Sequence, residues 1–263
     1  MPELPEVNTV QKYFDAQAIN QRIIDVEVWD DHILRNMDGD IFSQTLLDQT
    51  IVGSFRQGKY LFAELGSGHH VLLHLGMTGD IYFYSHEEER TKHERFHWKL
   101  SGGQYMGFND PRKFGRIIYI KNLQEYINEI RLGPDALSIS ELEFQSKMEK
   151  RRTNIKAFLL DQHVLAGVGN LYADEICYQV RVHPASMVNA IPKRKRKMLY
   201  DKMREVLNYA CNNDAYYGVY PEDWFWKWRE TGMKNPNGKG TVNTSKIAGR
   251  TTYYVPGWQK LYR

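Results

Sequence analysis

The chain has 263 residues, 42% of them hydrophobic, and a net charge of +3, enough material for one large or two small cored domains. Two cysteines, Cys177 and Cys211, are too few for a disulfide framework or a four-cysteine zinc site, and no apolar run of about 18 residues offers a membrane span. The mild charge permits nucleic-acid binding without arguing for it, and an acidic N-terminus with no apolar core is unlike a signal peptide, so a reducing cytoplasmic setting is expected.

In chain order, Pro2–Ala18 reads as a helix, because Leu4, Val7, Val10 and Phe14 recur at helical spacing. Eight short strands are predicted next, over Ile23–Trp29, Thr50–Arg56, Tyr60–Leu65, Val71–Leu75, Ile81–Tyr84, His97–Leu100, Tyr105–Asn109 and Arg116–Ile120. Gly and Asp punctuate them, a pattern that suits a sandwich or barrel. The Gly- and Pro-bearing segment Arg131–Leu137 reads as a linker. Helices are predicted beyond it at Ser140–Lys150, Asn154–Gln162, Asn170–Val180 and Pro192–Asn212, and Thr241–Tyr262 reads as two strands around Ala248-Gly249-Arg250. The expected fold is α+β: a β-sandwich with flanking helices over 1–134, a helical domain over 135–240 and a β-hairpin over 241–263.

Pro2 is the first candidate for chemistry. A small second residue favours removal of Met1, which would expose a secondary amine. An α-amino group titrates near 7.7–8.0, so a useful fraction is unprotonated at neutral pH. Such an amine can attack a sugar aldehyde carbon to form an iminium, as lysine does in Schiff-base enzymes. Glu3 and Glu6 stand beside it and could move protons. Equally, a proline in the first helical turn with acids around it is ordinary helix initiation. Asn154–Ile176 reads as two helices around a Gly167-x-Gly169 turn, with Asn170 as N-cap. The N–H groups at that helix start would suit phosphate, although a plain helical hairpin has the same pattern.

Several strings, in order, resemble the formamidopyrimidine-DNA glycosylase (Fpg/Nei) family. They are MPELPEV at the N-terminus, Gln57–Leu61, HLGMTG at His74–Gly79, NDPRKFGR at Asn109–Arg116 and LGPDAL at Leu132–Leu137, then Leu160–Gln162 with Ala166–Ile176 as the helix–two-turn–helix signature. The resemblance implies a bifunctional glycosylase and abasic-site lyase that removes oxidised bases from damaged double-stranded DNA through an iminium at Pro2, then cleaves the strand by β,δ-elimination. It implies no cofactor and a monomer. It makes Glu3 the general acid/base, Glu6 its support and Lys59 a phosphate ligand. Met77, Arg112 and Phe114 fill the gap left by a flipped base, Lys156 and Asn170 grip the lesion strand, and Arg250 is the finger arginine. On residue types alone, Lys59 is as readily a surface lysine after a turn, Met77 and Phe114 core residues, and Arg112 and Arg250 solvated turn charges. The runner-up is a catalytically weak lesion-binding protein of the same fold. A third possibility is a helix–two-turn–helix nucleic-acid module unrelated to repair, which would not need the N-terminal string.

Two departures from the family stand out. Ile247–Gln259 resembles its zinc finger, but Val255 and Trp258 occupy cysteine positions, so a zincless finger held by apolar packing is expected, with no metal. The usual capping loop for 8-oxoguanine is replaced by the aromatic run Tyr216–Trp228, in which Trp224, Trp226 and Trp228 either stack on a base or pack a core. The preferred lesion stays open. The basic clusters Lys147–Arg152 and Lys193–Lys197 are phosphate contacts or solvated helix ends, and His69, His70 and His74 read as turn and strand residues, not a metal set.

Overall fold

A computed structural model describes all residues from Met1 to Arg263, in two compact units, Met1–Arg131 and Leu132–Arg263. The division falls three residues before the expected boundary, at the turn where Arg131 takes φ of 50°. The hairpin is not a third body. It belongs to the second unit, because its strands share that unit's core.

The first unit opens with α1 (Leu4–Ala18). The helix starts at Leu4 and not at Pro2, because Glu3 is extended and serves as N-cap. The Glu6 side chain accepts the Glu3 N–H at 2.8 Å, satisfying one orphan donor. Then come β1 (Ile23–Val28), α2 (Gly39–Leu46), β2 (Ile51–Gln57), β3 (Tyr60–Leu65), β4 (His70–His74), β5 (Asp80–Tyr84), β6 (Glu94–Leu100), β7 (Tyr105–Asn109), β8 (Arg116–Ile120) and α3 (Leu123–Glu129). The eight expected strands are all present within a few residues. Helices α2 and α3 are additional: each is under nine residues long, too short for helical periodicity to separate from a loop.

Two four-stranded antiparallel sheets, ordered β1-β6-β7-β5 and β2-β3-β4-β8, form the sandwich. Alternation along the strands puts Val26, Phe96, Trp98 and Phe108 of one sheet in the same core as Leu61, Ala63, Leu73 and Ile117 of the other. The α1 residues Val7, Phe14 and Ala18 join them. The far face of the second sheet is apolar too, and α3 covers Phe62, Leu72 and Ile120 with Leu123 and Tyr126.

The second unit holds α4 (Glu141–Glu149), α5 (Ile155–Leu160), α6 (Asn170–Gln179) and α7 (Lys193–Asn212), followed by β9 (Asn243–Ile247) and β10 (Arg250–Tyr254). No helix is long and apolar enough to cross a membrane. The hairpin turns on Ala248 and Gly249, whose φ angles are 51° and 71°. Two successive positive values make a type I′ turn, whose twist matches the flanking strands. Below the turn, buried Val255 packs with Tyr178, Phe225, Val242 and Trp258. Tyr178 stacks on Phe225 at 4.3 Å and on Trp258 at 5.9 Å, and the Arg181 guanidinium lies 3.7 Å from the Trp258 ring centroid. Apolar packing thus holds the hairpin at both Val255 and Trp258.

Val255→Ala removes two fully buried methyl groups and should cost about 2 kcal/mol in urea denaturation, while Val52→Ala at an exposed strand position should stay within about 0.5 kcal/mol. Equal effects would mean that the hairpin does not depend on this cluster.

Candidate nucleic-acid interface and active site

In the first unit, Pro2 precedes the N-cap of α1 and lies outside the helix. Glu3 is 5% exposed, its backbone fixed by Glu6. Lys59 sits in the two-residue turn between β2 and β3, where Gln57 pairs with Tyr60. Gly58 takes φ of 60° at the first turn position, the conformation a type II′ hairpin needs and a side chain resists. The turn holds Lys59 to 9% exposure, so it is not a freely solvated lysine.

Lys59 lies close enough to act on His74. Burial, with the Arg116 and Lys59 cations, pulls the His74 imidazole down to about 4. The ring is thus neutral at pH 7, and its Nδ1 accepts the Gly76 N–H at 3.2 Å. The histidine ends β4, immediately before the loop that presents Met77.

That loop, 75–79, is bound to a second, 110–116. Asp110 is fully buried and its carboxylate accepts from Thr78 Oγ1 at 2.7 Å, Gly115 N at 2.7 Å and Arg112 N at 3.3 Å. Gly76 takes φ of 62°, and a Cβ there would stand 2.4 Å from the Phe114 carbonyl, so only glycine allows this approach. The outcome is that Met77 and Phe114 protrude, 37% and 48% exposed, instead of joining the core. The exposed Arg112 guanidinium lies 4.8 Å from the Phe114 ring centroid. Two apolar side chains and a five-donor cation on a rigid base are what a base-stack insertion needs.

In the second unit, Gln162 closes the turn between α5 and α6. Its amide donates to the Leu160 and Val168 carbonyls at 2.9 and 3.0 Å and accepts the Gly167 N–H at 2.9 Å. The N-cap of α6 is Gly169, and Asn170 is the first helical residue, which shifts the expected cap by one. Asn170 Nδ2 donates to the Thr251 carbonyl at 3.2 Å, tying the helix start to β10.

Lys156 requires the main correction. It is not a surface cation for phosphate but a fully buried one. Its Nζ donates to Asp174 Oδ1 at 2.6 Å and approaches the Thr251 carbonyl at 3.5 Å. Arg229 takes the other carboxylate oxygen, at 3.0 and 3.2 Å, which also accepts the Tyr253 N–H at 3.3 Å. Burial drives the ammonium below the usual lysine range. Asp174 and Arg229 went unrecognised in the sequence; the available signal was an acid on the apolar side of α6, between Tyr172, Ala173, Ile176 and Cys177. The network closes on β10, the strand that begins at exposed Arg250.

The adjacent Glu175 is also buried, which pushes its carboxyl up to about 7, and it accepts the Phe225 and Trp226 N–H groups at 3.0 and 2.8 Å. Trp224 packs as core, and Trp226 and Trp228 are half-buried against neighbouring rings. Trp224 is 7% exposed, against Tyr209 and Tyr220, Trp226 lies on Tyr217, and Trp228 packs beside Phe225. In the basic clusters, Lys147 pairs with Glu143, Arg196 with Glu149 and Lys197 with Asp201 and Glu141.

Two outcomes check these assignments. Lys156→Met should destabilise the second unit by about 3–5 kcal/mol, because it leaves a buried carboxylate short of a partner, whereas Lys239→Met on the surface should be near neutral in the same urea titration. For His74, the folded value lies below the ordinary 6.5, so the unfolded chain binds the extra proton between those values. Stability is therefore present above about pH 6.5 and is lost as pH falls toward 4, by up to about 3 kcal/mol. His74→Asn should flatten that part of the profile, and an unchanged slope would assign it to other groups.

The family model described as Formamidopyrimidine-DNA glycosylase N-terminal domain matches residues 1–117. That described as Formamidopyrimidine-DNA glycosylase H2TH domain matches residues 132–217. The chain is 33% identical to a formamidopyrimidine-DNA glycosylase of Arabidopsis thaliana, covering 100% of this chain and 72% of that one. It is 32% identical to one from Solibacter usitatus, covering 99% and 100%. Among solved structures, it matches the Lactococcus lactis enzyme non-covalently bound to DNA containing an AP site, with TM-score 0.89 and 28% identity over 98% of this chain and 99% of that one. A second complex of the Lactococcus lactis protein, with DNA containing an abasic site, gives 0.88 and 27% over the same shares. With both of its units matched in order, this chain belongs to the formamidopyrimidine-DNA glycosylase family.

Proposed function

We propose that this chain is a bifunctional DNA glycosylase and abasic-site lyase acting on oxidised bases in double-stranded DNA. The observation that carries this is the N-terminus. Pro2 stands one residue ahead of the α1 N-cap, so its nitrogen is not needed by the helix, and Met1 is 54% exposed and open to removal. Loss of Met1 turns an amide nitrogen into a secondary amine. That amine attacks C1′ of the damaged nucleotide, and the base leaves with the C1′–N bond electrons. Glu3, supported by Glu6, gives and takes the protons that open the sugar. The resulting iminium withdraws electrons from C2′, so loss of the C2′ proton and elimination of the 3′ phosphate, then the 5′ phosphate, follow from the same covalent state.

The remaining residues hold the DNA. Lys59, buried but charged, is suited to a phosphate at the lesion. Met77 and Phe114 occupy the space a flipped base leaves, whose unstacking costs a few kcal/mol, and Arg112 donates to the estranged base. Asn170 and Arg250, linked through the Thr251 main chain, contact the backbone of the lesion strand, Arg250 with a fork that can engage two phosphate oxygens. The packed state of Trp224, Trp226 and Trp228 argues against their serving as a stacking platform.

The test is reductive trapping. With borohydride and an oligonucleotide carrying one abasic site, the mature protein should form a stable covalent complex. Pro2→Gly, or a version with an uncleaved N-terminal extension, should lose it by at least about a hundredfold. Undiminished trapping by the extended protein would exclude Pro2 as nucleophile.

A further inference from the structure

The outer face of the β1-β6-β7-β5 sheet carries a polar group that the repair chemistry does not use. His97, on β6, is 1% exposed. Register pairs it with Gly107 of β7 on one side and Glu27 of β1 on the other. Gly107 has no side chain to block the way, so His97 reaches across it toward β5. There its Nδ1 meets the Tyr84 hydroxyl at 2.9 Å and Glu94 Oε1 at 3.3 Å. The Tyr84 hydroxyl donates to Glu94 Oε1 at 2.9 Å, so both oxygens facing Nδ1 are acceptors. The network therefore places the ring proton on Nδ1. Nε2 is left as a bare lone pair turned toward β1, buried and with no hydrogen-bond partner.

A buried acceptor with nothing to accept is costly. What stands near it is a pair of acids. Asp25 and Glu27 alternate on β1, so both face outward, and a ring nitrogen of His97 and one oxygen from each carboxylate all lie within 4.8 Å of one another. Trp29 closes one side, its ring edge-on to His97 at 4.9 Å, and Tyr105 another at 4.7 Å. Two cations stand nearby: Lys99, the register partner of Asp25, has its ammonium 5.1 Å from the Tyr105 ring centroid, and the Arg90 guanidinium lies 4.2 Å from the Trp29 ring centroid.

We propose that Asp25, Glu27 and His97 Nε2 bind one divalent transition-metal ion on the outer face of this sheet. One imidazole and two carboxylates are a borderline-hard set suited to Zn²⁺, Co²⁺ or Ni²⁺, not to Ca²⁺ or Mg²⁺, which take oxygen ligands. Ligands about 2.1 Å from a tetrahedral ion lie roughly 3.4 Å apart, so the two exposed carboxylates must swing inward by about an ångström. The histidine need not move. Its Nδ1–H is already held by Tyr84 and Glu94, the carboxylate-backed arrangement that fixes the tautomer of metal-binding histidines. A water would complete the coordination. The ion would tie edge strand β1 to β6, and none of its ligands is among the residues assigned to DNA chemistry.

The experiment uses the full chain without DNA. Zn²⁺ titrated by calorimetry should bind with one-to-one stoichiometry, and Co²⁺ should give the visible absorption of a four- or five-coordinate site. The melting temperature should rise with Zn²⁺ concentration, since an ion that binds only the folded state stabilises it. The Asp25→Asn/Glu27→Gln double variant, altered only at exposed positions, should fold as the parent does, bind at least tenfold more weakly and lose the thermal shift. His97→Gln should lose the Co²⁺ spectrum; if it fails to fold, the double variant decides. Absence of saturable Zn²⁺ binding, or equal binding by parent and double variant, overturns the proposal.

Discussion

The second unit depends on one carboxylate. Asp174 has no solvent exposure, and an ionised group in that position persists only where donors surround it. Its partners come from three stretches of chain: Lys156 from α5, Arg229 from the segment after the tryptophans and the Tyr253 N–H from β10. Removing any one leaves charge uncompensated in a low-dielectric interior. The helix–two-turn–helix, the aromatic segment and the hairpin are therefore mutually specified in a way that apolar packing, which tolerates repacking, would not achieve. Glu175 extends the same logic by one residue, fixing the backbone at Phe225 and Trp226.

The first unit repeats this device with Asp110. There a buried carboxylate gathers a hydroxyl and two backbone N–H groups from two loops, and the side chains it orients point out, not in. Exposure of Met77 and Phe114 is costly in water, and the Asp110 contacts with the glycine-only approach at Gly76 fix the loops that carry them. Holding apolar side chains out on a rigid base means that inserting them into a base stack requires little further ordering, which is where binding energy is usually lost.

Much of this was legible in the sequence, for identifiable reasons. The eight strands show as short runs between Gly and Asp turns, although several are buried on both faces and do not alternate, and α7 shows its period because it is long. The short helices α2 and α3 offer too few turns to display one. Among site residues, residue type alone favours burial for Met77 and Phe114, and their exposure follows from loop-closing contacts that the sequence does not display. The burial of Lys156 was not legible for a complementary reason. Nothing local discloses that an acid 18 positions later on α6 supplies its partner. Buried ion pairs are properties of tertiary structure, and sequence shows only their two halves.

The hairpin is held at several points. It relies on Val255, Trp258 and the Tyr178–Phe225 stack below the strands, on a positive-φ pair at the turn and on the Lys156, Asn170 and Asp174 contacts to β10. These act at different points along the hairpin. The stack fixes its base, the ion network its outgoing strand, and the turn its tip. Arg250 begins β10 immediately after that turn, one residue before the Thr251 carbonyl that Lys156 and Asn170 both reach. Its main chain is thereby anchored while its side chain stays exposed. A guanidinium on an anchored backbone loses less freedom when it binds an anion than one on a mobile loop, so apolar packing and buried charge together prepare the tip for an anion.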